Sequence, residues 1–142
     1  MTSLRICLDV SDLDAGIAFY ERALGLRLAR RLGNEWAELA GAAAPIDLLA
    51  KPAGSRANPG APAARDYARH WTPVHLDFAV ADIAQAVQRA TSAGAVLETD
   101  LARHAWGVIA CMADPFGHGF CLIEFTARGY DAMPGVERVS RG

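Results

Sequence analysis

Two side chains suited to chemistry stand near opposite ends of one stretch. His75 lies near the start of TPVHLDFAVADI (Thr72 to Ile83), and Glu124 near the end of DPFGHGFCLIEF (Asp114 to Phe125). An imidazole and a carboxylate converging from different strands can hold a divalent metal and leave positions open for a substrate. Other machineries are missing. There is no Ser-His-Asp arrangement, no GxGxxG and no P-loop, so nucleotide-dependent chemistry has no support. Cys7, Cys111 and Cys121 form no CxxC and no Cys/His pair at zinc spacing. They read as buried thiols of a reducing compartment, with Cys7 and Cys121 in core strands. Trp36, Trp71 and Trp106 read as core or cavity wall, the lining a planar, apolar ligand needs. Asp114, Pro115, Gly117 and Gly119 read as turn residues, His118 as an exposed turn histidine and His104 as a surface loop residue.

Elements must carry these groups. LRICLDV (Leu4 to Val10) reads as a strand, and Ser11 or Asp12 can cap a helix bearing Leu13, Ile17, Tyr20 and Leu24, stopped by Gly25. Strands are expected over Leu26–Leu32, Glu35–Ala40 and Ile46–Ala50, with turns at Gly33-Asn34 and Gly41–Pro45. Residues 51–71, rich in Pro and Gly, read as a long connection. The strand VHLDFAV follows, then a helix capped by Asp82 with Ile83, Val87 and Ala90 buried and Gly94 at its end. Strands are predicted over Ala95–Leu101, Trp106–Met112 and Gly119–Phe125, and a tail lacking periodicity closes the chain.

The halves repeat. Leu4–Leu13 matches Val74–Ile83 without a gap at an offset of seventy, which sets Arg5 against His75 and Asp12 against Asp82. Ile46–Ala50 matches Phe120–Glu124, and each half reads strand-helix-strand-strand-strand. The boundaries are 1–50 for the first unit, 51–71 for the connection, 72–126 for the second unit and 127–142 for the tail.

Both strand-then-D-(L/I) starts, the string FYxxxLGL (Phe19 to Leu26) and the ending WG…DPFGHxFxLIE resemble the vicinal oxygen chelate superfamily, which includes glyoxalase I, bleomycin-resistance proteins, extradiol dioxygenases and fosfomycin-resistance enzymes. The resemblance covers roughly residues 3 to 126. It implies an α+β fold of two tandem βαβββ modules whose mixed sheets curl around a cavity, usually in a homodimer. It implies metal ligands at equivalent points of the repeat, here carried to Arg5, Ala50, His75 and Glu124. Of these only His75 and Glu124 can bind a metal, because a guanidinium offers no lone pair and Ala50 no donor. A third ligand could come from Asp77, His118, His70 or Asp47, although strand alternation puts Asp47 on the face opposite Ala50. If folded as in the family, Arg5 would face Glu124 and could pair with it or anchor an anion.

The resulting expectation is a protein that binds a small, partly aromatic or anionic molecule. Arg5, His75 and Glu124 would be polar anchors, Trp36, Trp71 and Trp106 the walls, and no cofactor is expected. The alternative is a lyase, isomerase or dioxygenase dependent on Zn, Fe, Mn or Ni. Half of the 142 residues are apolar (52%), which suits a packed core, and a net charge of -2 without a basic run argues against nucleic acid. No stretch approaches membrane-spanning length. MTSLRICLDV turns polar by Asp9 and lacks the core of a secretory signal, so the cytoplasm is expected.

Overall fold

The computed structural model describes residues 1–140. Two sheets, each backed by one helix, form from the two halves. In the first, β1 (Ile6–Val10), β4 (Ile46–Ala50), β3 (Trp36–Ala40) and β2 (Arg27–Leu32) lie in the order β1-β4-β3-β2, with β1 and β4 parallel. In the second, β5 (Leu76–Ala79), β9 (Gly119–Phe125), β8 (Gly107–Ala113) and β6 (Val96–Leu97) lie in the order β5-β9-β8-β6, with β5 and β9 parallel and β7 (Ala102–His104) also paired to β8. The equivalent register in both sheets, Cys7 opposite Asp47 and Asp77 opposite Cys121, carries the repeat into three dimensions.

Alternation decides what each face holds. Ile6, Leu8 and Val10 of β1, Ile46 and Leu48 of β4, and Phe120 and Leu122 of β9 join one hydrophobic core. The opposite faces carry Arg5, Cys7, Asp47, His75, Asp77 and Cys121. Helices α1 (Leu13–Leu24) and α2 (Ile83–Ser92) supply Leu13, Ile17, Phe19, Tyr20, Ile83 and Ala90 to the same core. Full burial of each large apolar side chain is worth about 1.5–3 kcal/mol, so this shared core dominates stability. Asp12 and Asp82 cap the helices by accepting from Ala15 N (2.7 Å) and Gln85 N (2.9 Å), which satisfies amides that helix geometry leaves unpaired. Gly25 ends α1 in the left-handed conformation at φ 69°.

The expected strand over Ala95–Leu101 shrinks to Val96–Leu97. Both residues are exposed rather than forming an apolar centre. Beyond them Glu98 N still donates to the Cys111 carbonyl (2.9 Å), but its carboxylate is held by Arg69 and the Trp71 indole, and regular strand pairing resumes at β7. His104 therefore sits in a strand, stacked on Trp106 at a centroid distance of 4.7 Å, and not in a free loop. In the tail, a 3-10 turn at Gly129–Ala132 brings Tyr130 against Phe125 and Trp106. No helix among the described residues is long and apolar enough to cross a membrane.

Candidate functional site

Strands β1 and β5 are both sheet edges, and a gap between them forms a cavity of about 500 Å³. Leu8, Phe78 and Phe120 give it apolar walls; Asp9, Arg65, Tyr20, His70, His75 and His118 give it polar ones. Arg65 comes from the long connection and donates from Nε to Asp9 Oδ2 (2.7 Å) and from Nη1 to Ser55 Oγ (3.3 Å). A second cavity of about 680 Å³ runs between α1, β1, β5 and α2, lined mainly by aliphatic groups such as Leu24, Leu26, Ile46 and Val80. The smaller cavity has the character of a ligand site, because convergent polar groups on apolar walls orient a ligand.

The connection closes over this region as a strap. Trp71 lies across Gly119, where an added Cβ would come within 2.6 Å of the indole. Its ring meets His75 edge to face at 5.4 Å, and Arg69 sits over it at 4.9 Å. Gly117 lets the strap approach: at φ +85° it would place a Cβ 2.4 Å from the Ala68 carbonyl oxygen. His118 is not the exposed turn residue expected. It is partly buried, its Nε2 faces the Asp9 carbonyl at 2.7 Å, and its Nδ1 faces His70 Nε2 at 3.2 Å. His70 Nδ1 in turn faces the Ala68 carbonyl at 2.9 Å. These two histidines tie β1, the strap and the turn before β9 together, and are not placed as a third ligand beside Glu124.

The residues singled out in sequence separate into distinct places. Arg5 does not meet Glu124. It holds Asp47 with two hydrogen bonds (3.0 and 2.6 Å) and also pairs with Glu38, whose carboxylate accepts two more from Arg30 (3.0 and 2.6 Å). Arg30 and Arg5 hold the Glu38 carboxyl down to about 2, and hydrogen bonds to Asp47 and Glu38 raise Arg5 further above its ordinary range. Asp47, set aside on alternation, is thus Arg5's partner: alternation puts it opposite Ala50 but on the same face as Arg5. Ala50 lies at the far end of β4.

Glu124 does not reach His75 either. The parallel register aligns Leu76 with Phe120 and Ala79 with Ile123, so Glu124 is five residues beyond the level of His75. That is roughly 16 Å at about 3.3 Å per residue. Its Oε2 accepts from Ile83 N at 2.7 Å, at the start of α2. What does stand beside His75 is Asp77 (Nε2 to Oδ1, 3.2 Å) and Cys121; their ligating atoms lie within 4.8 Å of one another. Cys121 is buried, and burial with Cys111 close by pushes its thiol up to about 12. Cys7, expected in the core, is exposed. None of the three tryptophans lines either cavity: Trp36 is on β3 opposite Leu49, Trp71 is on the strap, and Trp106 packs with His104 and Tyr130. A signal for Cys121 was present in sequence, since matching the halves sets Cys121 against Asp47 just as it sets His75 against Arg5.

The fold has many solved likenesses. A genomically encoded fosfomycin resistance protein, FosX, from Listeria monocytogenes superposes with a TM-score of 0.68 at 17% identity, covering 90% of this chain and 97% of its own. TioX from a Micromonospora species gives 0.65 at 18%, covering 89% and 100%. Lactoylglutathione lyase from Agrobacterium tumefaciens gives 0.61 at 19%, covering 87% and 92%. At these identities the likeness is one of fold. A comparison with curated proteins finds no match. The profile of the glyoxalase-like domain, however, runs from residue 5 to residue 123, through both repeats, and by that match the chain belongs to the glyoxalase-like family of the vicinal oxygen chelate superfamily.

Proposed function

We propose that this protein binds a small, partly aromatic molecule bearing a polar or anionic group in the cavity between β1 and β5. The observation that carries this reading is the combination of walls. Leu8, Phe78 and Phe120 offer apolar surface, and His75, His118, Tyr20 and Arg65 converge on about 500 Å³. A guanidinium has five N–H donors, and the two contacts of Arg65 leave donors for an anion. Arg65, and not Arg5, is the cation at this site. Exposed Leu28, Leu32 and Val96 on the sheets support a homodimer that covers them, and we expect the protein to work in the cytoplasm.

The test is titration with anilinonaphthalene sulfonate, an anionic aromatic probe, on a sample whose mass is measured by light scattering. One saturable site per chain, on a particle of twice the chain mass, is expected. Val74→Trp fills the mouth from a position 80% exposed, so the fold is kept. It is expected to weaken the probe at least tenfold, and Arg65→Gln to weaken it several-fold. Probe binding unmoved by Val74→Trp would sink the reading.

The cluster of His75, Asp77 and Cys121 favours a second reading, a metal-dependent lyase, isomerase or dioxygenase. A catalytic metal site of three protein ligands is sufficient in principle. Metal-dependent turnover separates the two readings, since product formation that stops on metal removal is expected only in the second.

A further inference from the structure

The family likeness suggests a hard divalent ion, since a mutant of FosX has been crystallised with Mn(II). The donors in this chain do not fit that suggestion. In the first module, Arg5 occupies the position that His75 holds in the second, and its guanidinium is bound to Asp47 and Glu38. In the second module a sulfur stands where a hard ion wants oxygen. Thiolates select soft or borderline ions, and Mn(II) and Mg(II) prefer carboxylate, carbonyl and water.

A second sulfur lies beside the first. Cys111 and Cys121 are directly opposite on antiparallel β8 and β9. The hydrogen bond from Asp114 N to His118 O marks a hydrogen-bonded pair three steps away along the same ladder. Alternation then makes Cys111–Cys121 a non-hydrogen-bonded pair, the kind whose side chains approach most closely. Their sulfurs are 4.0 Å apart. In a tetrahedral site with bonds of about 2.3 Å, two sulfurs stand about 3.8 Å apart. His75 and Asp77, at 3.2 Å, match the imidazole–carboxylate edge of about 3.4 Å that bonds of about 2.0–2.2 Å would give. His75 and Asp77 are exposed on or beside edge strand β5, which leaves an entry path.

We propose that Cys121, His75 and Asp77, whose ligating atoms lie within 4.8 Å of one another, form a binding site for a thiophilic d10 ion such as Zn²⁺ or Cd²⁺ on one sheet face of the second module, and that Cys111, outside that cluster but 4.0 Å from Cys121, turns in as the second sulfur. The site rests on the His75–Asp77–Cys121 cluster; it shares His75 with the organic-ligand cavity and Asp77 lines the larger cavity, but neither Cys111 nor Cys121 lines a cavity, so the cysteine variants test it separately from organic-ligand binding. Binding replaces two S–H protons by two S–metal bonds. No electron is transferred, and two protons go to solvent. Because the ligating form of a cysteine is the thiolate, affinity rises with pH and proton release reports how many sulfurs bind.

The experiment is titration of the reduced, metal-free full chain with Cd²⁺, following the thiolate-to-cadmium charge-transfer band and proton release. One Cd²⁺ per chain is expected, with two protons released and no displacement by a hundredfold excess of Mn²⁺. Cys121→Ser should abolish the band, Cys111→Ser should about halve it, and Cys7→Ser should leave it unchanged. Exposed His75→Ala should weaken Cd²⁺ at least tenfold, and it keeps the test decisive if Cys121→Ser fails to fold. A missing band, a band that survives Cys121→Ser, unchanged affinity in His75→Ala, or ready displacement by Mn²⁺ overturns the proposal. Loss of the site with probe capture intact overturns the metal inference alone. Loss of probe capture with the band intact overturns only the organic-ligand reading.

Discussion

At the scale of residues, one pair of repeat positions has been given two uses. Arg5 and Asp47 in the first module are an ion pair; His75 and Cys121 in the second stand close enough to share a ligand. Glu38 completes the first arrangement between Arg5 and Arg30. Its folded-state carboxyl is depressed from 4.5 to about 2. A depressed value means that the stabilisation is fully present above the unfolded value and fades as pH falls toward the folded one. The first sheet is therefore expected to loosen between about pH 4.5 and 2, and Glu38→Gln to flatten that part of the acid-unfolding curve, as circular dichroism against pH would show. That Arg5 could not bind a metal was legible from its type alone. Its partners were not, because Glu38 and Asp47 lie 33 and 42 residues away and meet it only through strand pairing. Cys121 reads in sequence as a core residue, and Glu124 is the last-strand position carried over from the resemblance. Parallel pairing brings the start of the last strand, not its end, beside His75.

At the scale of elements, periodicity and capping signals located both helices, while the second sheet's edge escaped. Val96 and Leu97 read as a buried strand centre, yet they sit at an edge where Glu98 is drawn to Arg69 and Trp71 of the strap. The strap's docking on Gly117 and Gly119 had no periodic signature, since it depends on side chains that are absent. Glu124 belongs at this scale. Together with Asp82 it satisfies amides of the first turn of α2, where the helix dipole also favours negative charge. Glu124→Ala is expected to lower stability by about 1–2 kcal/mol in denaturant unfolding, while binding of the anilinonaphthalene probe stays within twofold of the unaltered protein. Abolished probe binding with unchanged stability would return Glu124 to the site.

At the scale of the whole molecule, the two modules share a core and a few polar ties that cross between them. Arg89 of α2 donates to the Arg22 carbonyl in the last turn of α1 (2.7 Å), where a cation is favoured. His118 reaches the Asp9 carbonyl from the opposite sheet. Tyr20 of α1 donates its hydroxyl to Asp114 Oδ2 at 2.6 Å, while Asp114 Oδ1 accepts from Phe116 N and His118 N. Both Tyr20 and Asp114 are buried, and burial beside that carboxylate raises the Tyr20 hydroxyl well above its ordinary value. The residue is therefore a donor throughout the physiological range. Tyr20→Phe keeps the ring in the core but leaves the buried carboxylate one donor short, at a cost of about 1–3 kcal/mol. Because Asp114 also holds the turn that presents His118, the loss should reach beyond the Tyr20 contact. Urea unfolding of Tyr20→Phe is expected to show that loss as one cooperative transition at a lower midpoint with an unchanged slope. Backbone hydrogen exchange should quicken at Phe116 and His118 as well as around residue 20. Exchange confined to α1 would mean that the tie is local and that the shared core alone couples the modules.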